Sequence, residues 1–124
     1  MRFSAFTAFA IALLGAVLPA PAAAADGMTF YIRNHSTRAV ALEFHVQGSP
    51  KVWPGDDEVY LIEPTMKKSQ MIDCAQGENI CYGAWLNGND RITWGVGPDN
   101  DKPCEDCCAV CVWKTTTTID IGQQ

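Results

Sequence analysis

Six cysteines constrain this 124-residue chain more than any other feature, and all of them lie in its C-terminal half. Four occupy the segment CEDCCAVC, residues 104–111, and the other two are Cys74 and Cys81. In a reducing compartment, four thiolates at a doubled C-x-x-C spacing are typical of a tetrahedral zinc site. In an oxidising compartment, thiols pair as disulfides. The compartment therefore decides between a metal centre and a disulfide framework.

The first 25 residues have the features of a secretory signal peptide. One cation, Arg2, precedes an uncharged apolar run from Phe6 to Leu18, and small residues stand ahead of Asp26. About 13 apolar residues at a helical rise of ~1.5 Å span only ~20 Å, which is too short for a hydrocarbon core of ~30 Å. We therefore expect cleavage after Ala25, export to the periplasm or the extracellular space, and no stable membrane anchor in the mature chain.

Export favours three disulfides over a bound metal. A bridge between the neighbours Cys107 and Cys108 would close a strained ring and is set aside. Cys74 and Cys81 flank a short turn between two predicted strands, so we expect them to pair with each other. The four clustered cysteines would then pair among themselves, whereas the competing arrangement ties Cys74 and Cys81 to the cluster. The alternative to disulfides is a metal site at the clustered residues Cys104, Cys107, Cys108 and Cys111.

The mature chain, residues 26–124, is long enough for one domain and too short for two. Removing Arg2 leaves eight of the nine cations and all fourteen acids, so the net charge changes from −5 to −6. Binding to phosphates depends on clustered lysine and arginine, so this balance argues against nucleic acid and against anionic membrane surfaces. The expected partner is instead an unknown protein or a glycan at the cell envelope.

The hydrophobic pattern of the mature chain is that of β-strands. The segment AVALEFHV alternates, with Leu42 and Phe44 on one face and Glu43 and His45 on the other. Because the preceding FYIRN alternates in the same way, we expect an antiparallel hairpin within residues 29–46.

Further short strands are predicted at EVYLIEP, KSQMIDC, ICYGAWL and RITWGVG, the last two joined by a tight turn at Asn87-Gly88. A final strand is predicted over residues 109–122, because four consecutive threonines favour β-structure. No window of the mature chain shows apolar residues at helical spacing. About seven strands without helices predict a single all-β domain over residues 26–124, a small antiparallel β-sandwich stapled by disulfides.

Loop residues of two kinds mark the candidate binding surface. Trp53 lies in the Pro- and Gly-rich loop SPKVWPGDD, where a tryptophan is either a lid over the sandwich end or a contact residue. The other three tryptophans lie within predicted strands and are expected in the core. Asp99 and Asp101 belong to an acidic loop that could ligate calcium, although the glycine and distal acid of an EF-hand are missing. We take Trp53, Asp99 and Asp101 as the candidate binding surface.

Nothing in the sequence requires catalysis. No serine has the flanking glycines of a nucleophile elbow. A C-x-x-C oxidoreductase of the thioredoxin kind needs a βαβ context, which this pattern lacks, and the acids Glu105 and Asp106 between Cys104 and Cys107 disfavour a thiolate at either cysteine. We therefore expect an exported binding or structural module with no catalytic residues and no cofactor. A metal-binding protein is the alternative, and an enzyme of unknown activity ranks third.

Three segments carry a resemblance to known proteins. The segments CAQGENICYGAW, TWGVG and CEDCCAVC resemble small exported bacterial proteins of uncharacterised function that share a G-E-x-I-C-Y-G-A core and a C-x-x-C-C-x-x-C cluster. The resemblance covers most of the mature chain and implies no activity.

Overall fold

The computed structural model describes Gly15 and residues 26–122, and within them it contains nine β-strands and no helix. The predicted signal peptide lies outside the described residues except for Gly15. In chain order the strands are β1 (Met28–Asn34), β2 (Val40–Val46), β3 (Val52–Trp53), β4 (Tyr60–Ile62), β5 (Lys67–Ile72), β6 (Asn79–Leu86), β7 (Asn89–Gly95), β8 (Cys108–Val110) and β9 (Thr116–Ile121). The prediction of an all-β fold is confirmed. Across the described part of the chain, no helix is long and apolar enough to cross a membrane.

A three-stranded sheet has the order β5-β1-β9, with β1 at its centre. β5 runs antiparallel to β1, whereas β9 runs parallel to it. Met28, Phe30 and Ile32 of β1 face inward and are at most 3% exposed. On the outer face, Arg33 Nε and Nη2 donate to the two carboxylate oxygens of Asp120 at 2.6 and 2.8 Å, which joins β1 to β9.

A six-stranded sheet packs against this one and has the order β3-β2-β6-β7, with β4 also on β2 and β8 also on β6. The inner face of β2 presents Val40, Leu42 and Phe44, which are all fully buried. Phe44 stacks on Phe30 of the opposite sheet with ring centroids 4.3 Å apart. The two sheets therefore enclose one apolar core, which confirms the predicted sandwich.

The predicted hairpin of the first two strands is wrong. β1 and β2 belong to different sheets, so residues 35–39 cross from one sheet to the other. Asn34 holds this crossing, since its Nδ2 donates to the carbonyl oxygens of Arg38, Ile62 and Glu63 at 2.8, 3.1 and 3.2 Å. Alternation in the sequence identifies the buried face of each strand. It does not distinguish two strands paired in one sheet from two strands in sheets packed face to face, because the same residues are buried in both cases.

The hairpin of β6 and β7 is confirmed, with Gly88 in the left-handed conformation at a φ of 87°. The single strand predicted over residues 109–122 is wrong, because a turn separates β8 from β9 and places Lys114 at a φ of 66°. Trp113 in this turn was expected in the core, but it is 39% exposed. Its Nε1 donates to the carbonyl oxygen of Cys74 at 2.7 Å, which connects this turn to the segment after β5.

All six cysteines are paired, and the expected pairing of Cys74 with Cys81 is wrong. Cys74 follows β5 and lies in the main core, whereas Cys81 lies on β6 and faces the other side of the six-stranded sheet. The two residues are therefore separated by a sheet. The competing arrangement, which ties both to the cluster, is the one observed. The disulfides are Cys74–Cys111, Cys81–Cys108 and Cys104–Cys107.

A second, smaller core lies on the outer face of the six-stranded sheet, beneath the loop that connects β7 to β8. Its buried members are Cys81, Val96 and Cys107. A side chain at Gly83 would meet the carbonyl oxygen of Gly97, so glycine is required for the loop to lie this close to β6. The loop thus covers part of a sheet face that would otherwise be open to water.

Candidate functional site

A cleft of about 470 Å³ lies on the outer face of the six-stranded sheet, beside the covered part. Its floor is formed by Glu43 and His45 of β2 and Val52 of β3. These side chains face outward because they alternate with Phe44 and Trp53, which are buried. The loop between β3 and β4 forms one wall, and the loop after β7 forms another.

The walls of the cleft are acidic. Carboxylates come from the loop between β3 and β4 and from the loop after β7, and with Glu43 they bring five acids to one cleft. The acidic wall residues are Asp56, Asp57, Glu58 and Asp99. Within the described residues, no lysine or arginine lines the cleft. Its electrostatic potential is therefore negative, and a positively charged group is the complementary ligand.

Glu43 and His45 form a close pair on the cleft floor. Glu43 Oε2 lies 3.5 Å from His45 Nε2, and the two side chains are 19% and 12% exposed. His45 Nε2 is buried, and among the described residues it has no hydrogen-bond partner. A buried polar group without a hydrogen bond costs about 1–3 kcal/mol, so the position of this nitrogen is unfavourable to the fold.

Burial and neighbouring charges shift the protonation of this pair. Burial raises the pKa of Glu43, and the negative charges of Asp57 and Asp99 raise it further. Burial lowers the pKa of His45, and the charge of Asp99 opposes that shift. Both shifts favour the uncharged forms of Glu43 and His45. A cationic ligand reverses the first shift, because its charge favours the Glu43 carboxylate.

The cleft walls are strained. Gly55, Asp56 and Asp57 are consecutive left-handed residues with φ of 79°, 55° and 58°, and Asn100 on the other wall has a φ of 54°. In the described part of the chain, three of the five non-glycine residues with positive φ line this cleft. Strained backbone of this kind persists where surrounding structure enforces it, and it concentrates at binding sites.

Trp53 does not contribute to an exposed surface. It is 8% exposed, belongs to the main core and pairs with Phe44 across β3 and β2. Its Nε1 donates to Asp73 Oδ1 at 2.7 Å, and the ammonium of Lys51 lies 4.7 Å from a ring centroid. The structure thus places Trp53 in the main core, and a role of this residue in binding stays a prediction.

The two acids of the predicted surface lie in different places. Asp99 lines the acidic cleft. Asp101 lies in a neighbouring depression of about 440 Å³, which also contains Lys102 and Cys104. Of the three residues predicted for one surface, only Asp99 therefore reaches the cleft.

The clustered cysteines have separate partners. Cys111 bonds to Cys74 and Cys108 bonds to Cys81, while Cys104 and Cys107 bond to each other. In the described ranges, no group of three or more His, Cys, Asp or Glu side chains is arranged to hold a metal ion.

Sequence reasoning missed Glu43, His45 and the run from Asp56 to Glu58 as parts of one site. A signal was present, because alternation already placed Glu43 and His45 two residues apart on the outer face of one strand. The acidic run follows a proline and a glycine, which is typical of a loop. What the sequence lacked was the folding of that loop back over β2.

No protein-family model, no curated protein and no solved structure matches this chain, so the cleft is interpreted from its own chemistry. The resemblance to small exported bacterial proteins stays a prediction.

Proposed function

We propose that this protein is an exported binding module, and that the acidic cleft binds a basic segment of a partner protein at the cell envelope. The observation that carries the proposal is the cleft itself, where five carboxylates surround about 470 Å³ with no lysine or arginine among the lining residues. Two further features support the same site, namely His45 Nε2, which has no hydrogen-bond partner among the described residues, and the strained walls.

Magnitudes favour a segment with several positive charges over a single amine. One exposed ion pair contributes about 0.2–1 kcal/mol, which is far below the ~8 kcal/mol of a micromolar complex. A segment that contacts several of the five carboxylates and also reaches the cleft floor combines these small terms. A lysine-rich extended peptide is therefore the chemistry that suits the cleft, and glycans without positive charge do not.

The test is a calorimetric titration of the folded protein with a lysine-rich peptide, compared with a peptide of the same length in which glutamate replaces lysine. We expect the basic peptide alone to bind, with an affinity that falls as salt is added, because exposed charges are screened. The variant Asp57→Asn/Asp99→Asn should weaken binding by about twofold to fivefold for each charge removed.

Glu63→Gln is the matched control, since it removes one exposed acid of the turn after β4 that does not line the cleft. If Glu63→Gln weakened peptide binding as much per charge removed as the cleft variant does, the result would show only a general charge effect. Absence of binding at low salt would overturn the proposed ligand class.

Export is tested separately by the intact mass of the protein recovered from outside the cytoplasm. We expect the mass of a chain that begins at Asp26 and has lost six hydrogens to three disulfides. Recovery of the uncleaved chain in the cytoplasm would contradict the export half of the proposal.

A further inference from the structure

The Cys104–Cys107 disulfide differs from the other two in what it connects. Its cysteines are 3 residues apart in sequence, against 37 for Cys74–Cys111 and 27 for the remaining pair. It closes one turn within the loop between β7 and β8 and joins no two strands. Because a short closed loop restricts the unfolded chain least, this disulfide contributes least to stability.

The fold itself holds the other two pairs together. Cys81 and Cys108 are directly opposite each other in the ladder of β6 and β8. Cys74 and Cys111 are 2% and 0% exposed, inside the main core. If either bond were reduced, the folded structure would keep the two thiols adjacent and favour its reformation. The loop pair has no strand pairing to hold its thiols together, so its disulfide is the most reducible of the three.

Access to the loop disulfide is one-sided. Cys104 is partly exposed and lines the depression of about 440 Å³, whereas Cys107 is 4% exposed. Of the two sulfurs of this disulfide, a thiolate from outside therefore reaches that of Cys104 before that of Cys107. The loop from residue 98 to residue 107 carries four acids and one lysine, so it repels an anionic thiol and attracts a cationic one.

We propose that Cys104–Cys107 is a thiol–disulfide exchange site that accepts two electrons from a dithiol, with a preference for dithiols that carry positive charge. A thiolate of the dithiol attacks Cys104 Sγ, which forms a mixed disulfide and releases Cys107 as a thiolate that takes a proton from water. The second thiol of the same dithiol loses its proton and, as a thiolate, attacks the dithiol sulfur that is bonded to Cys104. The dithiol leaves as a disulfide, and Cys104 leaves as a thiolate that is protonated.

The reaction stops at this pair, although another disulfide is close. Cys107 Sγ lies 4.0 Å from Cys108 Sγ, so the released thiolate has Cys108 within reach. Attack there would form a bond between sequence neighbours, which is strained, and would displace the fully buried Cys81. The favoured product therefore contains two new thiols and keeps both inter-strand disulfides.

The experiment treats the folded, oxidised protein with increasing dithiothreitol, blocks the new thiols by alkylation and locates them by peptide mass spectrometry. We expect alkylation at Cys104 and Cys107 at concentrations that leave the other four cysteines bonded, with an unchanged circular dichroism spectrum. Earlier alkylation at any other cysteine, or loss of the folded spectrum at the same concentration, would overturn the proposal.

Charge preference is measured with two monothiols, cationic cysteamine and anionic 2-mercaptoethanesulfonate. We expect cysteamine to form the mixed disulfide at Cys104 about fivefold faster at low salt, with a smaller ratio at high salt. Glu105→Gln/Asp106→Asn should reduce that ratio and Glu63→Gln should not. A ratio that is the same in all three proteins would disprove the preference.

The variant Cys104→Ser/Cys107→Ser separates exchange from structure. We expect it to fold, to melt within a few degrees of the parent and to yield no thiol under the mild conditions. A variant that does not fold would show that the pair is a structural staple, and that result would refute the exchange site. This variant retains every residue of the acidic cleft. The result for the exchange site therefore does not depend on whether the cleft binds a peptide.

Discussion

The two faces of the six-stranded sheet are built from the same strands and have opposite properties. Toward the three-stranded sheet, β2 presents Leu42 and Phe44, which are fully buried in an apolar core. Toward the outside it presents Glu43 and His45, which are half-buried beneath acidic, strained loops. Because alternate residues of one strand point to opposite faces, the inner residues form the core while the outer residues carry the charge of the cleft.

Of the substitutions that test this difference between the two faces, Phe44→Ala is expected to change stability most. Phe44 is fully buried and stacks on Phe30 at 4.3 Å between centroids, so its removal leaves a cavity where the two sheets meet. We expect a loss of about 3–5 kcal/mol in the free energy of unfolding, measured by urea denaturation. The neighbour Glu43→Ala is the matched control and should change stability by less than about 1 kcal/mol. Similar losses for both variants would contradict the division between faces.

A middle-sized effect is expected for Trp53→Phe, which keeps an aromatic ring at the rim of the core. The substitution removes the hydrogen bond from Trp53 Nε1 to Asp73, and we expect a loss of about 1–3 kcal/mol by thermal and chemical unfolding. Asp73→Ala removes the same bond from the other side. If the bond is responsible, the double variant loses clearly less than the sum of the two single losses, whereas a purely additive result would assign the effect to packing.

The smallest effect is the dependence of stability on pH through Glu43. Its raised pKa means that the folded protein holds the proton more tightly than the unfolded chain does. Its contribution to stability is therefore fully present below the ordinary pKa of 4.5 and decreases as pH rises through the higher value of the folded state.

Glu43→Gln should consequently stabilise the protein relative to the parent at about pH 7 by less than about 1 kcal/mol, and should give no gain at about pH 4. Denaturation curves at the two pH values measure the difference. The variant His45→Gln tests the opposite trend. Because the pKa of His45 is lowered in the folded state, its contribution to stability is present above pH 6.5 and decreases as pH falls through the lower folded-state value. A constant effect of Glu43→Gln across this range would disprove the shift.

Local patterns predicted the inner face well and the outer face poorly. The alternation of residues 40–46 identified the buried set of β2, and Asn87-Gly88 identified the hairpin of β6 and β7. Both depend on interactions between close neighbours in sequence. The partner of β1, the connection of Cys74 to Cys111 and the loop over Glu43 depend on segments that are far apart in sequence. No local pattern encodes which sheet a strand joins, so these required the three-dimensional structure.

The parallel pairing of β1 with β9 has a consequence for the timing of folding. The ion pair of Arg33 and Asp120 joins residues 87 positions apart, and until residues 116–121 are available β1 lacks its second neighbour. A chain still being synthesised therefore has no complete three-stranded sheet to close over Phe44. Pairing between such distant segments is slow to form. Under the proposed export, this delay would keep the chain unfolded while it passes through a translocation channel.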